Sequence, residues 1–563
     1  MTQKPVNTTE PVPEWEKYGL VRFRSLSEVG LLLASLFFLA SLMPSLSARL
    51  PFIQGVASGV ITGVGYELGL GLVWLVRALQ FVVPKENRKT LPKWVVLLAA
   101  TVIVTYALLH ADGWTNATRK VSGLPDLDGG LIFAIISTAA AVFAAVWVLA
   151  RLFWMAVSRI DRQISRVVPP RVALVSGILA GGLLFWSLIE GTAVRFAIQA
   201  VDKAQEAADH FVDPDIPRPV QAVRTGSDKS LLEWDELGRQ GRAFVASAPT
   251  KAEIEELTGA PAMDPIRVYV GRRSAETYQE RADLALAELI RVGAFDRSVL
   301  VVASPTGTGW MDPNSHDPLD IMLGGDVATV GVQFSYLSSP LALVLHPELG
   351  LEQTEAVFDT IYKYWTNLPK DTRPKFYVFG LSQGAFNTQS TVRWLDMLSD
   401  PIQGALWVGS PFLSPVWKTV RDGRGAGSPT WRPRFGNGSL VQAIDQFHDF
   451  ESGLADWGPI RMVFLQYASD PIVMFSYESA FKRPDWYKED RAQDVSPDLL
   501  WVPVVTMLQT ALDMTIAVQV QGFGHNYAPI DYMRAWHGLL EPETWTTQKS
   551  EDLADHLKAR SAQ

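Results

Sequence analysis

The sequence predicts an α-helical transmembrane bundle followed by an α/β domain built on a mostly parallel sheet. Three observations carry that expectation. Residues 26 to about 197 are dominated by long apolar segments. From residue 266 onward, short β-rich runs alternate with helical patterns. Within that series, Gly380-Leu381-Ser382-Gln383-Gly384 falls between an apolar run, Lys375 to Phe379, and an amphipathic stretch, Ala385 to Leu398.

Five segments are apolar for close to the 20 residues that a bilayer crossing takes: 26–46, 54–83, 93–110, 129–154 and 171–197. The third is the shortest, bounded by Lys93 and His110. Basic residues gather in the tail at 1–25 (Lys4, Lys17, Arg22, Arg24), in the second connection (Lys85, Arg88, Lys89, Lys93) and in the fourth (Arg159, Arg162, Arg166). The first and third connections hold only Arg49 and the pair Arg119 and Lys120. The positive-inside rule then makes the tail cytoplasmic, and five crossings place everything after about residue 198 outside. Small residues at Ser45–Ala48 suggest signal cleavage, but a 25-residue lead with Glu10, Glu14 and Glu16 is unlike a secretory n-region, so an uncleaved span is expected. Gly55, Gly59 and Gly63, and again Gly65 and Gly69, recur at four-residue spacing and predict close helix packing. Glu67 and Glu190 are costly charges within or near spans, with Arg77 and Arg195 as candidate partners.

The length of 563 residues admits two or three domains. A net charge of −9 without a basic stripe in the soluble part leaves no footprint for nucleic acid. The absence of cysteine excludes disulfides, thiol catalysis and Cys-ligated zinc.

Residues 198–260 read as a polar linker with Pro214, Pro217 and Pro219, residues 261–545 as a catalytic domain and 546–563 as a C-terminal tail. The expected strands are Ile266–Val270, Val299–Ala303, Val327–Tyr336, Phe376–Phe379, Ala405–Val408, Arg461–Tyr467 and Val518–Gln521. Helical stretches lie between them at Ala275–Val292, Leu351–Asn367 and Gln383–Leu398. Alternation of this kind, with continuously apolar strands, implies a parallel sheet covered on both faces. Together with a Gly-x-Ser-x-Gly turn between strand and helix, it predicts an α/β-hydrolase domain.

In that turn the serine is lifted above the sheet edge, and a β-carbon at Gly380 or Gly384 would collide with its neighbours. Ser382 is therefore the expected nucleophile. It needs a base, and the base an orienting acid, in the chain order serine, acid, histidine. Of the histidines after Ser382, His525 follows the last expected strand, whereas His448 precedes the acid and His537 lies in a helical run. Asp470, in the loop after the strand starting at Arg461, is the expected acid; Asp449 and Asp513 end no strand. The oxyanion hole should combine the N–H of Gln383 with one from Thr306, Gly307 or Thr308, in the loop Ser304-Pro305-Thr306-Gly307-Thr308-Gly309-Trp310. No Gly-Lys-Ser/Thr follows, so a phosphate cradle is disfavoured.

Asp312, His316, Asp317, Asp320 and Asp326 match no ligand spacing, and loop capping suits them better than a metal. No cofactor is expected. Residues 412–459 form an insertion with Trp417, Trp431, Phe435, Phe447, Phe450 and Trp457, serving either as a lid or acyl wall or as packing. The apolar run Leu499–Leu512 could face the bilayer or the membrane bundle.

The Gly-Leu-Ser-Gln-Gly-Ala elbow, the Ser-Pro-Thr-Gly-Thr-Gly-Trp loop and the Gly-His-Asn-Tyr segment resemble a bacterial family of α/β-hydrolases with an N-terminal multi-spanning membrane domain. That resemblance implies a serine hydrolase in a bacterial inner membrane and no defined substrate. The elbow is also similar to that of cutinase-like esterases, which points toward acyl esters of lipid or cell-envelope molecules. The leading expectation is a membrane-anchored esterase or lipase whose partners are the bilayer and its ester substrate. An acyltransferase with the same triad and a non-catalytic sensor or scaffold are the alternatives.

Overall fold

A computed structural model describes residues 26–79, 93–127, 132–164, 192–339, 346–391, 399–543 and 545–561, with Leu179, Leu341 and Ala342 between them. The chain divides into two units. One comprises residues 1–199 with 496–512, the other residues 200–495 with 513–563.

The first unit is helical. Pro51–Val76, Lys93–Val121 and Ile132–Val157 are long and apolar enough to cross a membrane, and Glu28–Leu42 is a shorter apolar helix. The segment read as the weakest span thus lies in a helix that runs past His110 to Val121, about 43 Å at 1.5 Å per residue. A count of five spans does not follow from these helices. The tail at 1–25, the cations at 85–89 and most of 171–197, with Glu190, lie outside the described residues.

Both glycine rows are packing faces. A β-carbon at Gly55, Gly59 or Gly63 would come within 2.6 Å of Thr138, Val142 or Val146, all on the helix Ile132–Ile164. One at Gly65 or Gly69 would meet Phe37 or the backbone of Gly30 on the first helix. Among the described residues Arg151 is the cation acting on Glu67, and its guanidinium lies 3.5 Å from the Tyr66 hydroxyl; the side chains of Arg77 and Arg195 lie outside the described residues.

The run Leu499–Leu512 belongs to this helical unit. Val505 is fully buried with Ala40 and Ile61, and Val502, Leu508 and Leu512 pack around them. The Gln509 side-chain amide donates to the carbonyls of Ala40, Ser41 and Met43 at 3.2–3.3 Å. It thereby adds a donor to carbonyls around the C-terminus of the first helix, where the intrahelical ladder runs out. Arg49 donates to the Gln509 carbonyl at 3.1 Å.

The second unit holds a seven-stranded sheet, order β1-β3-β2-β4-β5-β7-β6, parallel throughout. The strands are β1 Ile266–Val270, β2 Val299–Ser304, β3 Val327–Val332, β4 Lys375–Leu381, β5 Gly404–Val408, β6 Val441–Ile444 and β7 Arg461–Leu465. The stretch read as a linker, residues 198–260, holds folded elements. Gly238–Ala246 and Lys251–Thr258 are helices, and Trp234, Leu237, Phe244 and Val245 are buried. The C-terminal tail forms the helix Thr547–Ser561, with Leu553 and Leu557 buried.

Two sequence expectations fail. Val518–Gln521 is no strand: the chain there follows a short 3₁₀ turn, Met514–Ile516, into a loop. Conversely β6 arises inside the 412–459 insertion and extends the sheet beyond β7. Trp417 is fully buried, and Trp457 donates its indole N–H to the Gly538 carbonyl at 3.1 Å, so both serve packing.

Candidate active site

The chain reverses its direction of progress across the sheet between β2 and β4, and such a switch leaves a crevice at the carboxyl ends of the strands. Ser382 stands there. It follows the central strand β4 and precedes the helix Gln383–Thr391. Its φ of +55° is rare for a residue with a side chain and costs about 1–2 kcal/mol. The flanking glycines permit the turn. A β-carbon on Gly384 would lie 2.0 Å from the Ser304 carbonyl oxygen, and one on Gly380 would lie 2.4 Å from Gly384.

The next strand, β5, seats the histidine. The Ser382 N–H donates to the Val408 carbonyl at 3.0 Å. Gly409, the following residue, has φ +53°, and its missing β-carbon would lie 2.6 Å from His525 Cε1. The serine and the imidazole thus flank one peptide, Val408-Gly409. One strand further on, Asp470 leaves β7 and caps the short helix Pro471–Met474. Ser382, the seat of His525 and Asp470 therefore occupy three successive strands, about 4.8 Å apart in pairs.

His525 Nδ1 and Asp470 Oδ2 are 2.6 Å apart. Asp470 Oδ1 accepts the N–H of Ile472 at 2.8 Å, and Oδ2 also accepts the Tyr527 hydroxyl at 2.8 Å. Asp470 is fully buried, so all three donors act in a dry setting. With Nδ1 turned to the carboxylate, Nε2 is the free ring nitrogen; it is buried and has no partner among the described residues. An imidazole held in this way can accept a proton from a neighbouring hydroxyl. Burial, with Asp470 next to it, drives the Tyr527 phenol well above its ordinary value, which keeps it a donor.

Tyr527 is the site residue that sequence reasoning left without a role. It lies two residues past His525, in the Gly-His-Asn-Tyr segment. Polar side chains also fix the loop under the imidazole. Gln389 donates to Ser410 at 2.9 Å and accepts the N–H of Trp417 at 2.9 Å, while Ser410 N–H donates to Gln466 at 3.0 Å.

On the other flank of β4 lies the loop after β2, touching Gly384 through the Ser304 carbonyl. Of its three expected donors, Thr306 N–H bonds the Trp310 carbonyl at 3.1 Å and Gly307 N–H bonds Ser339 Oγ at 2.9 Å. Thr308 N–H has no acceptor among the described residues. Gln383 opens its helix, so its N–H has no intrahelical acceptor.

The acidic cluster after this loop is structural. Asp312 caps the helix Pro313–Met322 and accepts the Tyr532 hydroxyl at 2.9 Å. Asp317 and Asp320 hold the buried Arg267 guanidinium at 2.6 and 2.7 Å. Burial opposes that charge, but Asp320 and Asp317 outweigh it and raise the Arg267 pKa. His316 lies edge-on between Phe244 and Phe379. Asp326 accepts the N–H of Ser298 at 3.0 Å.

Comparison with known proteins gives two matches. A family model described as "Alpha/beta-hydrolase family" matches residues 266–553, and one described as "Alpha/beta-hydrolase family N-terminus" matches residues 42–249. No curated protein matches the chain, and no solved structure does.

Proposed function

Since the chain belongs to the α/β-hydrolase family, we propose that it is a membrane-anchored serine hydrolase of the esterase or lipase type, acting on acyl esters of lipid or cell-envelope molecules. The observation that carries this reading is the buried His525–Asp470 pair beside the Val408-Gly409 peptide, which also accepts the Ser382 N–H. Ser382 Oγ attacks the ester carbonyl carbon and passes its proton to His525 Nε2. The N–H groups of Gln383 and Thr308 stabilise the oxyanion. His525 then protonates the departing alkoxide, which leaves an acyl-serine. Water, deprotonated by the same nitrogen, attacks that ester, and the proton returns to Ser382 as the acid departs. Asp470 keeps Nδ1 protonated throughout, and Tyr527 holds Asp470.

Three helices of sufficient length and apolarity support membrane residence. The placement of basic residues supports a cytoplasmic N-terminus and a catalytic unit on the far side of a bacterial inner membrane. The experiment for the catalytic reading is covalent labelling of Ser382 by a fluorophosphonate, with Ser382→Ala as the control.

A further inference from the structure

The loops that continue past Gly409 and Asp470 line a half-open cavity of about 650 Å³, within the range of small-molecule sites. Its walls are tied together close to the candidate site, because Phe412 N–H donates to the Ile472 carbonyl at 3.1 Å. Phe412, Phe475 and Tyr477 form an aromatic wall with ring centroids 4.8–5.5 Å apart.

The charge at this wall runs against that of the chain. Five cations (Lys418, Arg421, Arg424, Lys482 and Arg483) line the cavity against three acids (Asp422, Glu478 and Asp485), in a protein of net charge −9. Two of the acids are already engaged: Asp422 lies 3.1 Å from Arg421, and Asp485 lies 3.0 Å from Lys488. Arg424 is held by Glu489 at 2.8 Å. Lys418 and Lys482 have no carboxylate partner among the described residues.

We propose that this cavity binds the net-anionic, phosphate-bearing head of an acyl ester, with its apolar part along the aromatic wall. This deepens the hydrolase reading and rests on it for the ester. A solvated surface needs neither an aromatic wall nor an excess of cations over acids around one cavity, here five against three with Glu478 as the acid not paired among the described residues. An oxyanion offers those groups charge-assisted hydrogen bonds, and the rings offer apolar contact.

The test uses the full chain in zwitterionic nanodiscs, carrying Ser382→Ala so that bound ester survives. Equilibrium dialysis measures binding of monomeric dibutanoyl phosphatidylglycerol and dibutanoyl phosphatidylcholine, which differ in net charge. The anionic ester should bind about tenfold more tightly, as a net excess of cations at an exposed site allows. That preference should vanish in Lys418→Gln/Lys482→Gln and persist in Lys418→Arg/Lys482→Arg. Competition by inorganic phosphate would make the phosphate group itself the recognised element; competition by the intact ester alone would make the lipid its source. Equal binding of the two esters, or a preference that survives the Gln pair, would overturn the proposal. Because dialysis needs no turnover, a failure of the hydrolase reading would appear separately, as absent labelling of Ser382.

Discussion

Asp470 accepts hydrogen bonds from Ile472, His525 and Tyr527 while fully buried, so its position is determined from three directions. Removing one donor should be felt at the imidazole. Tyr527→Phe should lower kcat on a short ester about tenfold with KM little changed, since only orientation of the base is lost. It should also cost about 1 kcal/mol of stability, the size of one buried hydrogen bond. A kcat equal to wild type would show that Tyr527 merely packs. The sequence brought Ser382 and Asp470 forward because each follows an apolar strand, β4 and β7; it chose His525 for following Val518–Gln521, which is a loop, so only the local Gly-His-Asn-Tyr pattern supported that choice. Tyr527 was not legible there, because its role depends on a carboxylate 57 positions away. Nor could sequence choose among Thr306, Gly307 and Thr308, since the acceptor that occupies Gly307 is Ser339, 32 residues on.

The helix Pro313–Met322 carries a second buried carboxyl, Asp312, at its N-cap. Burial pushes its pKa from 3.8 up to about 7, against hydrogen bonds from Tyr532 and Asn314. The folded state thus holds a proton that the unfolded chain loses, so stability falls as pH rises from about 4 to about 7. Asp312→Asn keeps the cap oxygen and removes the titration. Its unfolding free energy should lose that slope and exceed wild type at pH 8 by up to about 4 kcal/mol; parallel curves for the two proteins in denaturant titrations would refute the account. Periodicity located six of the seven strands but missed β6. This strand is four residues long inside a Gly- and Arg-rich stretch, and it is stabilised by β7 rather than by its own pattern. It also promoted Val518–Gln521, whose apolar residues carry no sheet partner; the Val518 side chain is largely exposed.

Two units share the chain: they divide at residues 199 and 200, and a later stretch, residues 496–512, joins the first. Residues 496–512 sit with the N-terminal helices through Val505 and Gln509, although they lie between Asp470 and His525 in sequence. Composition marked that run as apolar and offered the bilayer or the membrane bundle as its neighbour; the hydrogen-bond partners of Gln509, 460 or more residues away, could not be read from it. The charge bias of the connections predicts that a C-terminal alkaline phosphatase fusion is active and a green fluorescent protein fusion dark; the reverse pair of results would put the catalytic unit in the cytoplasm. The central claim, that Ser382 is a nucleophile served by His525 and Asp470, is tested most directly by treating the full-length protein with a fluorophosphonate and mapping the adduct by mass spectrometry. The account predicts one adduct, on Ser382, that disappears in Ser382→Ala and forms slowly in His525→Ala. An adduct of undiminished rate in His525→Ala, or labelling that persists without Ser382, would contradict it.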